Sequence, residues 1–321
     1  KVKEFFTIHP QDSYFFSPGL VFGIRKHDAD ILNCQGYNNF FTLLTIIGKR
    51  SNQKLVLTLH NSGSSSKLRK MFLPFFDALI RFFGKKIDLV ICTSQAEFKE
   101  FYGRLNIPKE KFCIVKRGMD VELIKSISVK KKKLLIVSVA RLVEDKGMYQ
   151  LIRGFSVLSK KFPDASLRII GDGPEMNRLK QEVSNQGIEQ KVDFFGMIPL
   201  WQREKYLRAL KEAEVVVSLG SPYTDSLMVL EGIAAGMKVV VPTRGVLGGY
   251  VTAGQAIGVK DINNPLEVAE KLEFALKNQV KKNDPNFVLS WGQFTEQMVR
   301  IYKKLLEDRP SKTPVDSKKS V

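Results

Sequence analysis

Arg141 and Lys146 stand five positions apart in VARLVEDKG (residues 139–147), and Gly147 follows directly. The apolar run LLIVSVA (134–140) leads into them and reads as a buried strand, so both cations sit where that strand ends. Gly147 begins a helical pattern, and a helix start offers N–H donors and a partial positive charge. Two cations beside such a terminus suit a diphosphate. The competing reading is a solvated loop in which Glu144 or Asp145 pairs with them.

Three further stretches share that placement. IIGDGPE (169–175) ends a strand in Gly171 and Gly173, which permit a tight turn, with Pro174 placed to open a helix. It reads as a loop under a nucleotide base or as a plain strand–helix turn. SPYTDSLMVLEGIAAGMKVVVP (221–242) offers Ser226 as a helix cap, and the N–H groups of Leu227, Met228 and Val229 could receive phosphate oxygens. Glu231, a turn further in, can accept both hydroxyls of a ribose or be an ordinary salt-bridged helix residue. LTLHNSG (57–63) ends a strand in His60, placed for a ligand or for a structural role. One of the four stretches comes from the first half of the chain, which predicts a single cleft between two domains.

The elements behind these residues are short Val/Ile/Leu-rich runs: DILNCQ, KLVLTLH, DLVICTS, KFCIV, LLIVSVA, SLRIIG, VDFFG, EVVVSLG and MKVVVP. Helical patterns such as GMYQLIRGFSVLSKKF and GPEMNRLKQEVSNQG lie between most of them. That alternation predicts an α/β protein of parallel sheets covered on both faces, with ligands at the strands' carboxyl ends. A length of 321 residues fits about two domains. The composition shifts at SISVKKKK (126–133), so the expected domains are 1–127 and 128–290, followed by a helix over 291–307 and a disordered Pro/Ser/Lys-rich tail over 308–321.

The motifs VARLVEDKGMYQLIRGF, RIIGDGPE, LMVLEGIAAGMKVVVP and DINNPLEVAEKLEFAL, in that order, resemble the C-terminal domain of glycosyltransferase family 4. KLVLTLHNSG, DLVICTSQAEF and FCIVKRGMDVELI look like the family's acceptor-domain strands and interdomain connection, and LSWGQFTEQMVRIYKKLL like its final helix, which crosses back. The resemblance covers about Asp28 to Leu306 and is strongest over residues 134–306. It implies two Rossmann-like domains facing across a cleft, the GT-B fold, and a retaining transfer of a sugar from a nucleotide-diphosphate sugar to an acceptor hydroxyl. It implies that Arg141 and Lys146 bind the donor diphosphate and stabilise the leaving nucleotide, so that no metal and no other cofactor is required. Glu231 matches the second glutamate of an E-x7-E motif that holds the ribose, His60 a histidine near the reacting carbon, and Gly171 and Gly173 the nucleotide pocket. Two features depart from the family. The position of the first glutamate is Tyr223, with Asp225 near it but out of register, and residues 1–27 are too few for the family's opening strands, so the N-terminal domain reads as incomplete.

The formal charge of +18, with a pI near 9.7, predicts anionic partners: a nucleotide sugar, a lipid-linked or glycan acceptor, or a membrane surface. In residues 64–86, Phe72, Phe76, Leu79, Ile80 and Phe83 recur at helical spacing between Lys67, Arg69, Lys70 and Lys85, Lys86. That pattern fits a helix lying in an anionic interface, or aromatics packed on the sheet with solvated lysines. The expected location is cytoplasmic or peripheral at the inner membrane face. Nucleic-acid binding rests on charge alone, with no matching motif. Cys34, Cys92 and Cys113 show no metal spacing and read as free thiols. The alternative functions are a nucleotide-sugar-binding pseudoenzyme or scaffold, and a nucleotide-sugar epimerase on the same fold.

Overall fold

The computed structural model describes residues 8–11, 14–37, 39–60, 67–220, 226–278, 284 and 287–307. The expected tail over 308–321 lies outside them.

The first half opens with an antiparallel pair, β1 (Ile8–Gln11) and β2 (Tyr14–Phe16), and α1 (Gly19–Lys26). It continues through β3 (Ile31–Gln35), α2 (Phe40–Gly48), β4 (Lys54–Thr58), α3 (Lys67–Phe83), β5 (Leu89–Cys92), α4 (Gln95–Leu105) and β6 (Phe112–Ile114). The strands form a parallel sheet in the order β3-β4-β5-β6, with β3 at an edge. The connection out of this half is β7 (Gly118–Met119) and α5 (Val121–Ser126).

The second half runs β8 (Leu135–Val139), α6 (Met148–Lys161), β9 (Ser166–Ile170), α7 (Met176–Asn185), β10 (Val192–Gly196), α8 (Arg203–Lys211) and β11 (Val215–Val217). It ends with α9 (Leu227–Ala234), β12 (Lys238–Pro242), α10 (Gly245–Thr252), β13 (Ile257–Val259), α11 (Pro265–Lys277), β14 (Leu289–Ser290) and α12 (Trp291–Glu307). Its six parallel strands lie in the order β10-β9-β8-β11-β12-β13. That is the doubly wound arrangement, in which the strand order reverses between the first and fourth strands. Here the reversal falls between β8 and β11.

Hydrophobic layers explain why these runs are strands. Ile136, Val215 and Val217 face one layer, Val137, Val216 and Val239 the other, so β8, β11 and β12 are apolar on both faces. In α6, Leu151, Ile152, Phe155 and Leu158 form the buried stripe. Gly154 on that helix admits α11, since a Cβ there would stand 2.2 Å from Val268 Cγ1. α12 covers the first sheet: Met298, Phe294, Ile301 and Leu305 pack on Val56, Ile91 and Val115. Its Tyr302 hydroxyl accepts from Asn33 Nδ2 at 2.6 Å. β14 pairs with β7, so the return connection is laced to the outward one.

For the aromatic stripe named in residues 64–86, the described residues show the packed alternative. In α3, Phe76 is 2% exposed and Ile80 1%, with Phe83 packed against the same core, so that stripe faces the protein. The exposed apolar stripe is Met71, Phe75, Ala78 and Phe82, the last 78% exposed. The side chains of Lys67, Arg69, Lys70 and Phe72 lie outside the described ones, while Arg81, Lys85 and Lys86 are exposed. No helix among the described residues is long and apolar enough to cross a membrane. Cys34 and Cys92 are buried, Cys113 is half-buried, and all three thiols are free. Burial pushes all three up, Cys113 to about 11, so they behave as small hydrophobes.

Candidate active site

The strand-order reversal opens a cavity of about 520 Å³ whose wall includes Arg141, Lys146, Gly171, Leu227, Met228 and Glu231. Lys146 ends a short 3₁₀ turn (Glu144–Lys146) and Gly147 caps α6 with φ +68°. A Cβ at Gly147 would stand 2.1 Å from the Leu219 carbonyl oxygen. Only glycine lets this loop press against the end of β11, which aims Lys146 at the reversal point. Lys146 Nζ lies 3.8 Å from Asp145 Oδ2, while Asp145 Oδ1 is buried without a hydrogen-bond partner. The Lys–Asp pairing considered from sequence is therefore present but loose. Arg141 is exposed at the same wall and, among the described residues, has no ion-pair partner.

The glycine-rich turn interlocks with this loop. Leu142 N–H donates to the Asp172 carbonyl at 2.8 Å, and Glu175 N–H returns to the Leu142 carbonyl at 3.1 Å. Gly171 lines the cavity. Gly173 does not: a Cβ there would stand 2.3 Å from the Leu142 carbonyl oxygen, so its job is to seat the Arg141 loop. Pro174 does not open the helix either. Met176 N–H donates to the Gly173 carbonyl, which makes residues 173–176 a turn, and α7 starts at Met176.

At α9, Ser226 is the N-cap residue, but its side chain makes no capping bond. Its carbonyl accepts from Val229 N–H at 3.0 Å and Leu230 N–H at 3.2 Å. Val229 is therefore a core residue whose N–H is spent inside the first turn, not a phosphate donor. Leu227 and Met228 do reach the cavity, and Met228 Sδ accepts from Val139 N–H at 2.8 Å. Tyr223 and Asp225 lie outside the described residues.

Glu231 is 2% exposed and already engaged. Arg203 Nη2 is 2.5 Å from one carboxylate oxygen, and the Tyr206 hydroxyl donates to the other. Burial pushes the carboxyl up, offset in part by Tyr206 and Arg203. Burial and the neighbouring carboxylate hold Tyr206 well above its usual value, so it stays a hydroxyl. The fold thus contains the salt bridge, while Glu231 still lines the cavity. Sequence reasoning missed Arg203 and Tyr206, which look like polar positions of an exposed helix until α9 is set beside α8.

A second cavity, about 640 Å³, lies between the halves and shares Leu200, Arg203, Leu227 and Glu231 with the first. From the first half it gains Gln35, His60 and Arg117. His60 Nε2 hydrogen-bonds the Gln35 side-chain oxygen, and its carbonyl accepts from Arg117 Nη2 at 3.4 Å. Burial, then the charge of Arg117, lowers the His60 pKa. The ring is neutral at pH 7 and acts as a hydrogen-bonding group. Arg117 escaped the sequence reading, although the signal was there: a basic residue just past β6, as Arg141 lies just past β8. Arg141, Lys146, Gly171, Leu227, Met228, Glu231 and His60 therefore meet along one continuous pair of cavities. Among the described residues, no three His, Cys, Asp or Glu side chains converge as a metal site.

Known proteins match this chain along most of its length. Residues 120–288, more than half of the chain, match the sequence model of the family described as Glycosyl transferases group 1. Residues 2–123 match that of Glycosyltransferase Family 4. An uncharacterized glycosyltransferase of Methanocaldococcus jannaschii is 26% identical over 195 residues, covering 57% of this chain and 46% of that protein. The alpha-monoglucosyldiacylglycerol synthase of Streptococcus pneumoniae is 26% identical over 175 residues, 50% of this chain and 39% of that protein. The chain thus spans about half the length, or less, of these curated relatives. Anabaena HepE, solved in complex with UDP and glucose, superposes with a TM-score of 0.72 at 16% identity, covering 89% of this chain and 81% of that one. At that identity the likeness is one of fold.

Proposed function

The chain belongs to the group 1 glycosyl transferases, and from that membership we propose that it transfers a sugar from a nucleotide-diphosphate sugar to an acceptor hydroxyl with retention of configuration. The observation that carries this reading is the convergence of Arg141 and Lys146 on the strand-order reversal of the second sheet, beside the start of α9. A diphosphate there meets two cations and first-turn N–H groups in a partly enclosed space, where charge stabilisation is strong.

In this reading the bond between the anomeric carbon and the diphosphate breaks with its electron pair on the diphosphate oxygen. Arg141 and Lys146 stabilise the charge that develops there, so no divalent cation is needed. The acceptor oxygen bonds to the anomeric carbon and passes its proton to the departing diphosphate oxygen. His60, neutral, supplies a hydrogen bond from the opposite wall. Glu231 serves the ribose through lone pairs left over from Arg203 and Tyr206. The acceptor is a glycan or a lipid-linked hydroxyl compound, in keeping with the pneumococcal relative, an alpha-monoglucosyldiacylglycerol synthase. The exposed Met71–Phe75–Ala78–Phe82 stripe, bordered by Arg81, Lys85 and Lys86, supports docking of α3 on an anionic membrane surface.

The test gives purified protein a panel of nucleotide sugars with a membrane extract, with and without EDTA, and reads nucleotide release. Release that depends on the extract, persists in EDTA and yields a product of unchanged anomeric configuration is expected. Tight nucleotide binding without turnover on any donor would point to a scaffold, and sugar interconversion without acceptor to an epimerase. Lys146→Ala should weaken donor binding or turnover by roughly ten- to a hundredfold; if both survive, the diphosphate assignment is wrong.

A further inference from the structure

On the first half's side of the cleft, Arg117 stands without a counter-charge among the described residues. Its Nε is buried with no hydrogen-bond partner, and its Nη2 makes one long contact, 3.4 Å, to the His60 carbonyl. Among the described residues no carboxylate pairs with it. The acidic groups lining the same cavity are occupied elsewhere: Asp120 Oδ1 accepts from Leu123 N–H at 3.2 Å, and Glu231 holds Arg203 and Tyr206. The polar neighbours are satisfied too. Thr58 donates to Asn33 Oδ1 at 2.9 Å, and Thr93 donates to Glu97 Oε2 at 3.0 Å.

A guanidinium whose buried N–H finds no acceptor carries a desolvation cost that an anion in the cavity would offset. Its planar fork matches a phosphate or carboxylate. The donor diphosphate is already accounted for by Arg141 and Lys146, which line the other cavity. Resting on the transferase reading, we propose that Arg117 binds a second anion of the reacting pair: a phosphate or carboxylate carried by the acceptor. The enzyme's acceptors are then anionic sugars, polyols or lipid-linked phosphates rather than neutral ones, and Arg117 sets that preference.

Matched probes test this by calorimetry. UDP is titrated first, then kept saturating so that Arg141 and Lys146 are covered. Glycerol 3-phosphate and glucose 6-phosphate are then titrated beside glycerol and glucose. The phosphorylated member of each pair should bind at least tenfold more tightly. Arg117→Gln should weaken it by roughly ten- to a hundredfold without moving the neutral member. Arg117→Lys, which keeps the charge but loses the fork, should fall between, and it carries the test if the Gln variant does not fold. UDP-glucose and UDP-glucuronate, compared in the same proteins, separate the two sources of the anion. Equal affinities of phosphorylated and neutral probes, discrimination that survives Arg117→Gln, or a change confined to UDP-glucuronate would each overturn the acceptor assignment. If UDP fails to bind while Arg117-dependent phosphate binding persists, the donor reading falls and the anion site stands.

Discussion

Arg203 links the two cavities through the carboxylate of Glu231, and its own side chain keeps 34% exposure at their seam. Removing one partner of a fully dry ion pair costs about 3–5 kcal/mol because the other charge stays buried. Tyr206 continues to hold Glu231 and water reaches Arg203, so Arg203→Ala should cost less, about 1–3 kcal/mol, read as a lower midpoint in urea unfolding. His60 gives a pH signature instead. Its folded pKa lies below the unfolded value of 6.5 because of burial and Arg117. The unfolded chain then binds more protons between those two values, so stability falls as pH drops from 6.5 through the folded pKa. Urea unfolding between pH 5 and 7 should show that slope, and His60→Gln should reduce it. These residues differ in how readable they were. Arg141 and His60 lie just past the ends of β8 and β4, and Lys146 ends the turn that follows β8, so their place at the carboxyl ends of parallel strands was readable. Arg203, Tyr206 and Arg117 matter through partners far away in sequence, and Tyr206 meets Glu231 only because α8 and α9 lie side by side.

The elements follow the same logic. Every strand expected from a Val/Ile/Leu run is present: the central ones, β4, β5, β8, β9, β11 and β12, are buried on both faces, and β3, β6 and β10 extend them as more exposed neighbours. β7, β13 and β14, of two or three residues each, were not legible, since so short a segment has no periodicity. In α3 the periodicity was visible but its direction was not. The helix carries two apolar stripes, and the sheet took the one through Phe76 and Ile80. The stripes should therefore separate in experiment. Phe76→Ala should cost about 3–5 kcal/mol. Phe75→Ser combined with Phe82→Ser should leave stability within about 0.5 kcal/mol while abolishing co-sedimentation with phosphatidylglycerol vesicles. Vesicle binding unchanged in that double variant would remove α3 from the membrane reading.

Across the whole molecule, the chain passes between its halves twice, and both passages meet at one place. β7 pairs with β14, and a Cβ on Gly118 would stand 2.8 Å from both Trp291 and Phe294. α12 then leaves that crossing to cover the first sheet, so the last helix in sequence completes the core of the first half. The family resemblance implied that the final helix crosses back to the first half, and the crossing geometry sets which of its faces packs there. Met298 is the buried centre of that contact, against Val56, Ile91 and Val115. Met298→Ala should cost about 2–5 kcal/mol, and the loss should be local rather than shared equally. Hydrogen exchange should show β4, β5 and β6 losing protection while β8, β11 and β12, which sit in separate apolar layers, keep theirs. Nucleotide binding, read in the second half, should survive in that variant, whereas binding of a phosphorylated acceptor should weaken, because Arg117 and His60 are carried by the loosened half. Equal loss of protection in both sheets would mean that the crossing joins the halves into one cooperative unit, and the cleft would then have to open by deforming the sheets rather than by moving one half against the other.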